Sequence, residues 1–176
     1  MGEIRSTLDI IMEKTEGLTM TEEEKKELQR RELAGKARGI IQKYVDGIID
    51  LERVNVEMAS AGKGNEGLFR RAVIEGSMGY LAPGQDNEAI LQVLENTAGI
   101  DTQSMRRVLV AFQDRMDEEK NTRENTLRTE LNEKGIWGSS VIPNLEADSE
   151  WKDYVINTRK EFLKKLKEGL QQFLSG

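Results

Sequence analysis

The sequence predicts an all-α fold: an elongated helical bundle of two or three long helices, several short helices and one apolar loop docked against them. Three observations carry this prediction. Apolar residues recur at spacings of three and four along nearly the whole chain, the period of an amphipathic helix. Only two prolines, Pro83 and Pro143, interrupt 176 residues. The chain is 33% charged and only 5% aromatic, a balance that suits long helices with solvated faces. At this length residues 1–176 are expected to form a single domain.

The elements follow in order. Ile4, Leu8, Ile11 and Met12 form one stripe of a short helix that stops near Gly17. Thr19 and Thr21 each precede a glutamate by three residues (Glu22 and Glu24), giving two overlapping capping boxes. A long helix is therefore expected over about 21–61, with Ala34, Ala37, Ile41, Tyr44, Ile48, Leu51 and Met58 on its apolar face. Gly35, Gly39 and Gly47 lie inside that span and are the candidate kink positions. Ser60–Gly67 breaks the pattern, and short helices are expected over about 65–98, capped by Asn65 and Asp86 and closed by Gly99. Asp101 is placed to cap a second long helix over about 101–134, striped by Met105, Val108, Leu109, Phe112 and Met116.

After Met116 the apolar pattern empties. Asp117–Thr126 contains no apolar residue, and Glu119/Arg123, Glu124/Arg128 and Glu130/Lys134 are the pairs available to keep it helical. The loop from Gly135 to Leu145 carries Trp137, Val141, Ile142 and Leu145, an apolar load expected to tuck against the bundle. A last helix over about 148–174 starts at Asp148 or Ser149 and carries Trp151, Val155, Phe162, Leu166 and Leu170 on one face.

Composition narrows the chemistry. There is no cysteine, hence no disulfide, thiolate metal site or thiol nucleophile, and no histidine, the commonest general base. A net charge of −6 argues against bulk electrostatic binding of nucleic acid. No apolar run approaches the ~20 residues that span a bilayer, and Met1-Gly2 with Ser6 fits the myristoylation pattern only loosely. A cytoplasmic location is the expectation.

Gly62-Lys63-Gly64-Asn65-Glu66-Gly67 is a literal G-x-G-x-x-G. In a dinucleotide-binding fold such glycines let backbone approach a pyrophosphate at a helix N-terminus, but the motif needs a parallel sheet that this sequence does not offer. A connection between two helices is the better account. In a weaker form, Lys63, Gly64, Asn65, Arg70 and Arg71 would hold a phosphate or another anion. Asp114, Asp117 and Glu118, and the pair Asp46/Asp50, are the carboxylates to watch for a hard metal, yet none forms an EF-hand loop. No metal and no cofactor are expected.

These readings converge on a non-catalytic cytoplasmic interaction protein, adaptor or chaperone-like, that self-associates as a dimer. Trp137, Ile142 and Leu145 are its candidate partner-binding residues. The alternatives are a phosphate- or nucleotide-binding protein using Gly62–Gly67, and an RNA- or ribosome-associated factor using the basic run from Lys25 to Arg38.

Overall fold

A computed structural model describes residues 21–174. Their elements are α1 (Glu22–Val45), α2 (Leu51–Gly62), α3 (Glu66–Ser77), α4 (Glu88–Ala98), α5 (Gln103–Glu133), a single 3-10 turn at Leu145–Ala147, and α6 (Ser149–Gln172). Among the described residues there is no strand, so the fold is an all-α helical bundle. The stripe Ile4–Met12 and the Met1-Gly2 pattern lie outside the described residues.

The capping box forms at Thr21: its Oγ1 accepts from Glu24 N–H at 3.1 Å, while the Thr21 N–H donates to Glu24 Oε2 at 2.8 Å. The long helix expected over 21–61 is instead two. Gly47 takes φ +69°, which glycine adopts without strain, and Ile48 N–H returns to Lys43 O at 2.8 Å. Asp50 then caps α2 by accepting from Arg53 N–H at 2.8 Å, and α2 folds back onto α1. Gly35 and Gly39 sit inside unbroken helix. The break leaves Ile48 exposed in the turn rather than on an apolar face.

Helices α1 to α4 make a head in which α1 lies most extensively against α3. Its core includes Ile41, Val54, Val73, Ile74 and Leu94, completed by Met105 from the start of α5 and by Leu166 and Leu170 from the end of α6. Gly99 closes α4 at φ +61° as expected. Elsewhere the capping expectations need correction. Asn65 occupies the cap position of α3, but its Oδ1 accepts from Gln29 Nε2 at 2.8 Å and ties α3 to α1. Asp86 and Asp101 accept from Glu88 and Gln103 N–H, one residue outside the caps Asn87 and Thr102.

Helices α5 and α6 pair with each other as an antiparallel hairpin. At its neck Phe112 and Phe162 meet edge to face, 5.4 Å between centroids, and Arg106 binds Glu88 and Glu95 of α4. From Gln113 to Asn157 the only buried residue is Pro143. The final 20 residues of α5, Asp114–Glu133, therefore form the outer limb of a two-helix stalk about 30 Å long.

Candidate functional site

The tip of the stalk holds the largest exposed apolar side chains of the described residues. α5 ends in a left-handed closure: Gly135 takes φ +79° and Ile136 N–H returns to Leu131 O at 2.9 Å. Trp137 follows, 78% exposed, and Ile142 is 82% exposed. Val141 N–H donates to Gly138 O at 3.2 Å, and Pro143 turns inward. Asn144 then caps the 3-10 turn by accepting from Glu146 N–H at 3.0 Å. The expected docking of this loop does not occur at Trp137 and Ile142. Pro143 is buried and Leu145 half-buried instead, so the backbone is anchored while the two largest apolar groups stand in solvent.

The base of the loop is held electrostatically. Asp148 caps α6 by accepting from Glu150 and Trp151 N–H at 2.9 and 3.3 Å, and its side chain is only 6% exposed. Arg123 of α5 donates to the same carboxylate and pairs with Glu150 at 2.8 Å. It crosses to α6 rather than pairing with Glu119. The Arg123 hydrogen bond leads the effects that hold the Asp148 carboxyl below its ordinary range.

Sequence reasoning missed what lies beside the loop. Trp151 stacks on Tyr154 with centroids 6.0 Å apart, and Arg115 donates to the Tyr154 hydroxyl and pairs with Glu161. Trp151, Val155 and Ile156 line a shallow, largely apolar depression of about 490 Å³ with Glu146 and Lys152 at its edge. Trp151 and Val155 were legible as stripe residues; nothing in the spacing marks Ile156 as exposed. The tip, residues 119–154, carries eight carboxylates against five cations, a net charge of −3.

The candidate anion ligands do not converge. Lys63 faces the α1–α2 groove, Arg71 the α1–α3 groove, and Arg70 a third depression beside α2. Arg70 Nε donates to Ala98 O at 2.8 Å and Arg71 Nε to Glu75 at 2.9 Å. Gly64 N–H donates to Glu66 Oε1 at 3.0 Å, so a carboxylate of the chain occupies the anion position at this helix start. Asn65 is committed to Gln29. The basic run of α1 is exposed, with Lys25 and Arg31 paired to Glu22 and Glu27.

Among the described residues no three carboxylates converge on a metal position, and no helix is long and apolar enough to cross a membrane. No protein-family model, no curated protein and no solved structure matches the chain.

Proposed function

We propose that this is a non-catalytic interaction protein of the cytoplasm, with the α5–α6 hairpin tip as its docking surface. The observation that carries the reading is the pair Trp137 and Ile142, exposed to 78% and 82% on a loop anchored at both ends. Exposed large apolar groups on an ordered scaffold mark interaction sites, and tryptophan is enriched among residues that dominate binding energy. An anchored loop also loses little conformational freedom on docking, which lowers the cost of association. The net −3 of the tip selects the chemistry of the partner: an apolar protein surface bordered by cations.

The test compares wild type with a Trp137→Ser/Ile142→Ser double variant. Both are used to capture proteins from the native host, and each captured protein is then purified and titrated directly. The expected result is an unchanged circular dichroism spectrum and at least a tenfold weaker affinity for a partner with that chemistry. Equal affinity for every titrated partner overturns the reading.

A further inference from the structure

We infer that the partner of the tip is a second copy of this chain, paired antiparallel along the hairpin so that each tip lies on the other's neck. The inference rests on the tip being a docking surface and identifies what docks there. Three independent features of the stalk support it.

The first is the missing core. Two helices packed alone bury only the stripe between them. Met116, Leu127, Leu131, Trp151, Tyr154 and Val155 are accordingly all half-buried, with no fully buried apolar side chain among them. A second hairpin laid alongside makes a four-helix arrangement that can close over such residues. The second feature is apolar exposure at both ends. The tip exposes Ile136, Trp137 and Ile142, while the neck exposes Val110 and Ile156.

The third is charge. The stretch of neck that a partner's tip would cover comprises residues 110–118 of α5 and 155–164 of α6, with limits set by Val110 and by the Phe112–Phe162 contact. It carries four cations and four carboxylates and is neutral, with three of the cations, Arg159, Lys160 and Lys164, on α6. Antiparallel pairing sets each −3 tip on a neutral neck whose α6 limb is cationic, whereas parallel pairing stacks −3 on −3. The arrangement is isologous and closes after two copies. From Val110 to Trp137 the overlap is about 40 Å at 1.5 Å per residue. Across two helices of ordinary diameter that strip approaches the ~800 Å² a side of a standard interface.

Because the chain has no cysteine, a single Ser139→Cys substitution places one spin label at each tip. Dipolar spectroscopy on the full chain at tens of micromolar should give about 40 Å between labels, the offset of two antiparallel tips. Sedimentation equilibrium should give twice the 20.0 kDa chain mass. Trp137→Ser/Ile142→Ser should weaken the dimer at least tenfold with helicity unchanged. Lys160→Glu/Lys164→Glu should weaken it, and adding Glu130→Lys/Glu133→Lys should restore it. A tip-to-tip distance under about 20 Å overturns the antiparallel arrangement. A dimer indifferent to the tip substitutions overturns both the pairing and the role of the tip in it. A monomer at this concentration overturns self-pairing alone, and the separate titrations of captured partners then decide whether the tip docks a different protein.

Discussion

Arg123 and Asp148 join the two limbs of the hairpin at the point where α6 begins. The carboxylate that accepts the guanidinium also accepts the Glu150 and Trp151 N–H groups, so one side chain both starts a helix and fastens it to its neighbour. Asp148→Ala removes all three bonds and Arg123→Ala only the cross-link to α6. We expect both to lower the melting temperature by a few degrees, with Asp148→Ala the larger loss. Hydrogen exchange should quicken at Glu150–Asp153 while Ile90–Leu94 in the head is unchanged. Equal exchange in wild type and both variants would show that the hairpin stands without this contact.

The pH dependence of stability has a definite sign. Glu57, Glu66, Glu88, Asp148 and Glu161 all titrate below their ordinary values of 4.5 for glutamate and 3.8 for aspartate. Hydrogen bonds are the first cause in each case: from Arg53, the backbone of Glu66, Arg106, Arg123 and Lys165 respectively. A depressed carboxylate stabilises the fold fully above its unfolded value, and the contribution is lost as pH falls through the folded one. With no histidine in the sequence, no side chain of ordinary pKa titrates between about pH 5.5 and 8. Melting curves should therefore be flat across that window and fall below about pH 4.5. A slope near pH 6.5 would contradict this account.

Three glycines test packing against helix propensity. A Cβ on Gly35 or Gly39 would meet nothing within 4 Å, and alanine in an open helix interior is favoured over glycine by about 0.5–1 kcal/mol. A Cβ on Gly62 would lie 2.8 Å from Cδ1 of the buried Phe69 ring. Forcing that ring aside costs about 1–3 kcal/mol, which exceeds the propensity gain. Gly35→Ala and Gly39→Ala should stabilise in chemical denaturation, and Gly62→Ala should destabilise.

Most of the helical fold was legible in local signals. Thr21 and Glu24, Gly99 and Asp148 each mark a helix end by chemistry that depends only on near neighbours. The break at Gly47 was not legible, because the apolar spacing of Tyr44, Ile48 and Leu51 continues in helical phase across it. Gly35, Gly39 and Gly47 look alike in sequence, and only Gly47 adopts positive φ. The tip shows a different limit. Apolar content at Trp137 and Ile142 signals that these side chains need cover, but it does not say whether the same chain or another supplies it. The Arg123–Asp148 contact spans 25 residues and leaves no periodic trace.

Trp137 also provides an optical check. At 78% exposure its removal leaves no cavity, so in a dilute sample of isolated chains Trp137→Ala should change stability by no more than about 0.5 kcal/mol, as at ordinary surface sites. A buried aromatic would cost about 3–5 kcal/mol instead. Emission from the Trp151 that remains should be blue-shifted relative to wild type, since Trp151 is half-buried against Tyr154. A loss of several kcal/mol would place the indole in a core.

Hydrogen exchange along α5 separates an uncovered stalk from a paired one. Around Val108–Phe112 the helix is fixed by Phe112 against Phe162 and by Met105 in the head core. Asp117–Thr126 has no apolar side chain and no buried residue, and local opening is easiest where buried contacts are few. In a dilute sample of isolated chains, amides of 117–126 should exchange at least tenfold faster than those of 108–112. If a second hairpin covers the stalk, protection of 117–126 must rise with protein concentration, because closed pairs become more populated by mass action. The head amides of Ile90–Leu94 serve as the internal standard and should not respond. Protection of 117–126 that equals 108–112 at every concentration would mean that something within the single chain covers this segment, against the exposure seen here.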